Sequence, residues 1–472
     1  MAIPIMVTGT SSGAGKTLVC ACLCNILSKL GYSVAPFKMQ NMSLNSIVSP
    51  LGGEMSIAQY IQAVACKKTP CVKYNPILLK PQDHMTYVVF NGEYYAKYSP
   101  QEYMKSRKSE FFEKGIEILK ELMQQNDYVI IEGAGSPAEV NLMKYDITNM
   151  AVAKAVKAHT ILVADIERGG SFAGIVGTME IFNNEERELV KGFIFNKYYG
   201  DKSMLNDGID YLYDRYKIKT VGIIPYKKHS IPEEDSLITW ESRTGDLDIR
   251  IVKYPHISNF SDFEPLQKKN GVKYISTAQE VSGDLIILPG SKSTVSDLLW
   301  LNETGISQKL KDAAEEGCFI LGICGGFQML TQSIDDTFES NSQTPGLGLI
   351  PLKTHFEERK ITESVKGKVF FNGRSFDVTG YELRHGRTEC AENWLIDFDS
   401  HKDGFFKDNV MGTYLHGLFY NHDFTNFFLN YLRILKGEEE KDFGNYSLYD
   451  EISSFSDYVS EHIDMKEILQ WR

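Results

Sequence analysis

Residues Gly9–Thr17 read GTSSGAGKT, between an apolar run ending at Val7 and a helix-length segment beginning at Thr17. A glycine-rich turn joining a strand to a helix lets backbone N–H groups close around phosphate oxygens, with the positive end of the helix dipole behind them. In such a loop Lys16 reaches the outer phosphates, and the Thr17 hydroxyl sits on Mg²⁺. The usual pattern puts glycine where this chain has Thr10, and Gly9 lies one residue earlier. A plain Gly/Ser turn is the alternative, and the Gly-Lys-Thr ending in this strand–helix context argues against it. Thr10, Gly13, Gly15, Lys16 and Thr17 are therefore the expected ATP-binding residues.

Outward from this loop, strand-length apolar runs recur at Ile5–Val7, Ser33–Phe37, Tyr128–Ile131, Thr160–Ala164, Gly192–Phe195 and Thr220–Ile224. Helix-length segments separate them, such as Thr17–Leu30 closed by Gly31. Apolar strands alternating with helices predict an α/β fold with a parallel doubly wound sheet. The pattern breaks in the polar stretch from Lys227 to Asp246, which reads as a linker. A second α/β pattern follows at Ile249–Tyr254, Lys273–Ser276, Leu285–Leu288, Phe319–Ile323 and Val410–Tyr414. Phe424, Phe427, Phe428, Tyr431, Leu432 and Leu435 make one face of a late helix, read as core packing. The expected division is 1–226 for a P-loop synthetase domain, 227–247 for the linker, 248–436 for a second α/β domain and 437–472 for a helical tail.

Composition limits the function. At roughly 150 residues per domain, 472 residues make two or three domains. With 43% hydrophobic residues the chain has apolar mass enough for packed cores. A net charge of −12 without a long Lys/Arg run argues against nucleic acid as a partner. No apolar run nears the roughly 18 residues of a membrane helix, so no membrane partner is expected. The N-terminus lacks the basic start and cleavage site of a secretory signal. The 8 cysteines form no CxxC pairs, which points to reduced thiols in the cytoplasm.

A metal-bound nucleotide needs an anionic oxygen ligand. Glu132, at the tip of the run Tyr128–Ile131, is the expected partner of Thr17 on the metal; Asp165, at the next strand end, is a weaker candidate. Phe319–Leu330 (FILGICGGFQML) runs an apolar strand into Cys324, two glycines and an apolar helix. This is a nucleophile elbow in cysteine form, and the helix N-terminus favours the thiolate. The Gly325 N–H, with one from Gly290 in LIILPGS, would form an oxyanion hole. His416, just past the run Val410–Tyr414, is the expected base. Cys20, Cys22, Cys24, Cys66, Cys71, Cys318 and Cys390 read as buried hydrophobes.

The two sites together resemble a known arrangement. The first half is similar to dethiobiotin synthetase, whose phosphate loop has the same shifted glycine. The second is similar to a class I glutamine amidotransferase domain. ParA/MinD-like ATPases carry a signature lysine where this chain has Ser11. The whole chain resembles the cobyric acid synthase family, through Ala35–Asn45 (APFKMQNMSLN), Asn75–Pro81 (NPILLKP), Ile131–Asn141 (IEGAGSPAEVN), Asp146–Met150 (DITNM), Val163–Gly170 (VADIERGG) and Leu288–Leu298 (LPGSKSTVSDL). The resemblance implies ATP, Mg²⁺ and glutamine as the ammonia donor, with a corrinoid substrate. The implied reaction amidates the b, d, e and g carboxylates of adenosylcobyrinic acid a,c-diamide to give adenosylcobyric acid, in cobalamin biosynthesis. It places Asn196 at the nucleotide, and Gln40, Asn41, Asn45 and Asp146 on the substrate side; a helix cap is the alternative for Asp146. The sister a,c-diamide synthases carry acids where this chain has Gln40, Asn41 and Asn45. Tyr199 stands where the family has Arg, which removes an expected arginine contact. Leu418 stands where other amidotransferases have Glu, so the site resembles a Cys–His dyad, with Glu382 a guess for the group orienting His416. A nucleotide-dependent regulator with a dead amidotransferase domain is the rival reading. The oligomeric state is left open, a homo-oligomer included.

Overall fold

A computed structural model describes residues 2–43, 45–82, 85–232, 246–267, 271–337, 340–389 and 392–471. Cys390 and most of the expected linker, 233–245, lie outside the described residues. The chain forms two compact units. The first comprises 1–43, 49–234 and 447–472; the second comprises 44–48 and 235–446.

The first unit is built on six parallel strands. Their spatial order is Lys219–Pro225, Val190–Tyr198, His159–Asp165, Ile3–Gly9, Tyr128–Glu132 and Val34–Phe37. All six expected runs are in this sheet, and Ile3–Gly9 is central because it pairs with both Tyr128–Glu132 and His159–Asp165. The helix Lys16–Lys29 leaves the sheet at the phosphate loop. It ends as the sequence predicts: Gly31 takes φ +92°, its N–H donates to Ser28 and the Tyr32 N–H donates to Leu27. Cys20, Cys22 and Cys24 are fully buried in this helix. Burial raises all three thiols well above the ordinary range, so they pack as hydrophobes. All seven described cysteines are free thiols, and Cys71 and Cys318 are half-buried where burial was expected. The C-terminal helix Leu448–Ser460 packs on this unit, with Lys29 Nζ 2.6 Å from Asp457. A second, four-stranded sheet holds Gln40–Met42, Ile77–Gln82, Met85–Phe90 and Glu93–Tyr98.

The second unit has its own six-stranded sheet, in the order Gly271–Ile275, Asp248–Val252, Leu285–Leu288, Phe319–Ile323, Val410–Thr413 and Phe405–Lys407. The first five are parallel and match the five expected runs; only the edge strand Phe405–Lys407 is antiparallel. The aromatic face of His422–Leu435 lies in the core around Phe319 and Phe371, but Leu435, expected on that face, is 61% exposed. The unit also holds a long antiparallel pair, Lys353–Phe371 with Arg374–Thr388. The segment 44–48 groups with this unit, where Val48 packs on Tyr381 and Leu383.

Candidate active sites

In the first unit, the phosphate loop lies at the carboxyl ends of the parallel strands, where such sheets bind ligands. Gly13 and Gly15 take φ +73° and +91°. A Cβ on Gly15 would come 2.1 Å from the Asn196 amide nitrogen, so only glycine fits there. That amide donates to the Ala14 carbonyl at 2.9 Å, which puts Asn196 against the loop as expected. Lys16 Nζ donates to the carbonyls of Ser11 (3.3 Å) and Gly135 (3.0 Å), holding the ammonium across the loop. Thr10 packs against Gly174 of the helix Ser171–Ile181.

Thr17 Oγ1 donates to Glu132 Oε1 at 2.8 Å, so the two expected metal ligands meet. Sequence reasoning missed what surrounds them. Lys38 Nζ lies 2.9 Å from Glu132 Oε1, while Gln59 and Gln62 donate to Oε2 at 3.2 and 2.5 Å. Burial pushes the Glu132 carboxyl up, but Lys38 and these hydrogen bonds hold it below the usual carboxylate range. Lys38 lies inside the quoted APFKMQN stretch, whose residues are buried throughout. Asp165 serves differently: it accepts from Lys197 Nζ at 3.0 Å and from the Glu167 N–H at 2.9 Å. Tyr199 stacks on Tyr226. The Arg168 guanidinium, near the end of VADIERGG, stands 3.4 Å from where a Gly13 Cβ would be.

Gln40 accepts from the Tyr103 hydroxyl at 2.6 Å, and Asn41 beside it is buried with its amide nitrogen unpaired among the described residues. Asn45 groups with the second unit. The Asp146 carboxylate makes contacts of the capping kind: it accepts from the N–H groups of Thr148 (2.8 Å), Asn149 (3.0 Å) and Ala151 (3.1 Å), ahead of the helix Met150–Val156.

In the second unit, Cys324 follows the strand Phe319–Ile323 with φ +51°, the strained elbow the sequence predicts. A Cβ on Gly326 would come 1.9 Å from the Leu288 carbonyl, which is why the elbow needs glycine after its first turn residue. Beside Gly325 stands the Ser291 nitrogen and not that of Gly290, the expected second donor, which lies against Ser258 and the His416 ring. Cys324 Sγ is 3.6 Å from the Leu383 carbonyl and shares a cavity with His416, Asn259, Ser291, Gln328 and Arg384.

His416 has a carboxylate partner that sequence reasoning missed. Its Nδ1 is 2.7 Å from Asp262 Oδ2, and Asp262 Oδ1 accepts the Gly417 N–H at 3.0 Å. Asp262 sits in the short turn Phe260–Phe263, far from His416 in sequence. The Tyr381 ring stacks on the imidazole at 5.0 Å. Burial pushes the imidazole down, but Asp262 and Cys324 more than reverse this and raise it to about 10. His416 thus shares the Cys324 cavity and has a buried acid partner in Asp262, where the expected dyad left that partner open. Glu382 is not the orienting acid: its carboxylate pairs with Arg384 at 2.9 Å and lies 3.0 Å from His401. The only signal for Asp262 was an acid following the first strand of the second α/β pattern.

The lysine-bearing loop with its carboxylate can hold a nucleoside triphosphate, and the thiol site can cleave an amide. Among the described residues, no group of three or more His, Cys, Asp or Glu is arranged to hold a metal, and no helix is long and apolar enough to cross a membrane. Two family models match the chain. Residues 5–238 match the CobQ/CobB/MinD/ParA nucleotide binding domain, and residues 248–424 match the CobB/CobQ-like glutamine amidotransferase domain. A probable cobyric acid synthase of Thermococcus kodakarensis is 52% identical over 99% of this chain and 98% of that protein. One from Thermococcus onnurineus is 51% identical over 98% of each chain. The cobyric acid synthase of Dehalococcoides mccartyi is 40% identical over 99% of this chain and 98% of its own.

Proposed function

This chain belongs to the cobyric acid synthase family, and on that premise we propose that it amidates the b, d, e and g carboxylates of adenosylcobyrinic acid a,c-diamide. It is an ATP-dependent glutamine amidotransferase of cobalamin biosynthesis. The observation that carries the residue roles is that one chain holds both a complete Cys–His–Asp set and a phosphate loop with paired oxygen donors.

At the thiol site, Cys324 Sγ attacks the glutamine side-chain carbonyl. The C–N bond breaks, His416 delivers the proton that lets ammonia leave, and a γ-glutamyl thioester forms. Water then attacks the thioester, returning the thiol and releasing glutamate. Asp262 fixes the imidazole tautomer and stabilises the charged ring. At the phosphate loop, ATP transfers its γ-phosphoryl group to a substrate carboxylate, giving ADP and an acyl phosphate. Ammonia displaces phosphate, leaving the amide. Lys16 and the loop amides meet the charge on the moving phosphoryl group. The oxygen donors Thr17 and Glu132 suit Mg²⁺, which would neutralise phosphate charge there. Lys38, Gln59 and Gln62 hold the Glu132 carboxylate in place.

Gln40 and Asn41 offer neutral amides on the side where the a,c-diamide synthases carry acids, and this supports a substrate whose a and c positions are already amides. The test is mass spectrometry of the corrinoid product formed from the a,c-diamide with ATP and glutamine. Four added amides are expected. A product of the a,c-diamide synthase type, made from the unamidated acid, would overturn the reading. A regulator with an inert thiol site is disfavoured by the intact triad, and glutamine hydrolysis distinguishes the two.

A further inference from the structure

The strand Leu285–Leu288 turns through Pro289 into the short strand Gly290–Ser291, which lies beside Cys324. A Cβ on Gly325 would come 2.7 Å from the Ser291 nitrogen, so the Ser291 N–H stands next to the residue that follows the nucleophile. Four contacts fix this turn. The Tyr254 hydroxyl donates to the Pro289 carbonyl, and the Lys292 N–H donates to the His256 carbonyl at 2.9 Å. Ser291 Oγ donates to Asp297 Oδ2 at 2.6 Å, and the Ser293 N–H donates to Ser291 Oγ at 3.0 Å. Asp297 is fully buried. Its Oδ1 accepts the His256 N–H at 3.2 Å and lies 2.8 Å from His256 Nδ1. An acid in the first turn of a helix ordinarily serves that helix's own N–H groups. Asp297 is in the first turn of Thr294–Glu303, yet its hydrogen bonds run out to Ser291 and His256. Gly290–Ser291 pairs with Ile257–Ser258, so one carboxylate ties the turn and the lead into its partner strand together.

We infer that Asp297 is a positioning residue, which holds the Pro289–Ser293 turn so that the Ser291 and Gly325 N–H groups converge on the oxyanion formed at Cys324. The inference rests on the reading of Cys324 as the nucleophile. An oxyanion hole works only when its donors are already in place, because then no reorganisation accompanies the reaction. Asp297→Asn leaves one oxygen to do the work of two and turns an N–H₂ group toward either the Ser291 hydroxyl or His256.

The experiment compares full-length wild type, Asp297→Asn, Ser291→Ala and Cys324→Ala. For Asp297→Asn, kcat of glutamine hydrolysis should fall about 10- to 100-fold, less than or near the loss of a whole oxyanion donor. KM for glutamine should stay within about two-fold, because the ground state carries no oxyanion. Glutamate γ-semialdehyde adds to the thiol as a thiohemiacetal that does carry that oxygen, so its inhibition should weaken in step with kcat. Alkylation of Cys324 by iodoacetamide develops no oxyanion there and should keep its wild-type rate. Ser291→Ala should show the same pattern to a smaller degree, and it decides the matter if Asp297→Asn does not fold. Unchanged kcat, or a fall in kcat matched by an equal fall in alkylation rate, would overturn the inference. Glutamine hydrolysis surviving in Cys324→Ala would instead overturn the nucleophile assignment.

Discussion

The nucleotide cradle takes its backbone from one contiguous stretch, Gly13 to Thr17, and adds Glu132 from the neighbouring strand end. The thiol site has no such stretch. Cys324, His416 and Asp262 follow three different strand regions, at residues 319–323, 410–413 and 248–258. The first is specified by local backbone conformation, so glycine positions announce it. The second is specified by topology: parallel strands deliver Cys324 and His416 to one edge of the sheet, and the turn after the antiparallel strand Ile257–Ser258 brings Asp262 to His416. The two sites also differ electrostatically. Glu132 is held charged by Lys38, whereas His416 is held charged by Asp262.

The largest expected effect tests the independence of the two sites. Lys16→Ala should abolish amidation with either glutamine or ammonia as the nitrogen source, since the transferring phosphoryl group loses its cation. Glutamine hydrolysis should persist, and product and glutamate assays on the same sample separate the two. Asp262→Asn sharpens the other side. It should lower kcat for glutamine hydrolysis by up to about 10⁴-fold, because the imidazole loses its orientation and its counter-charge. Cys324→Ala and Asp262→Asn should both retain ammonia-dependent synthesis.

The same ion pair predicts a pH dependence. His416 is raised from an ordinary value of 6.5 to about 10. A raised basic group adds stability that is fully present below its unfolded value and is lost as pH rises through its folded value. Thermal melting of the wild type should therefore fall between about pH 6.5 and 10, and the fall should be shallower in Asp262→Asn. An equal slope in both proteins would remove Asp262 from this role. The smallest effect belongs to Asp146→Asn. Asparagine keeps the Oδ1 contacts to residues 148 and 149 and loses the one to the Ala151 N–H. Stability should drop by about 1 kcal/mol at most, with product kinetics unchanged.

The parallel strands of both units were legible because they are short, apolar and punctuated, down to the Gly31 helix end. The long pair Lys353–Phe371 and Arg374–Thr388 was not. Its first strand runs through EERKITESVKGK, is mostly exposed, and shifts register between Phe356 and Ile361, so it lacks a clean alternation. That blind spot had a functional consequence, since Tyr381 and Leu383 from this pair touch His416 and Cys324. The meander over 77–98 escaped for a related reason: Pro81 interrupts its first strand and exposed tyrosines fill its last. Cys324 and His416 were readable from glycine frames and strand ends. Asp262 was not, because only the fold brings it to His416, 154 residues away in the chain. Lys38 escaped because a lysine in a mixed polar run reads as solvated, and its burial against Glu132 is a tertiary fact.

The central claim is that Cys324 makes ammonia and does nothing else for synthesis. Its direct test is product formation by wild type and Cys324→Ala, each supplied with ATP, corrinoid and either glutamine or ammonium chloride at alkaline pH. Cys324→Ala should make no amide with glutamine and should recover amidation with ammonium, because it keeps Lys16, Thr17 and Glu132 untouched. Loss of both activities in a folded Cys324→Ala protein would contradict the account.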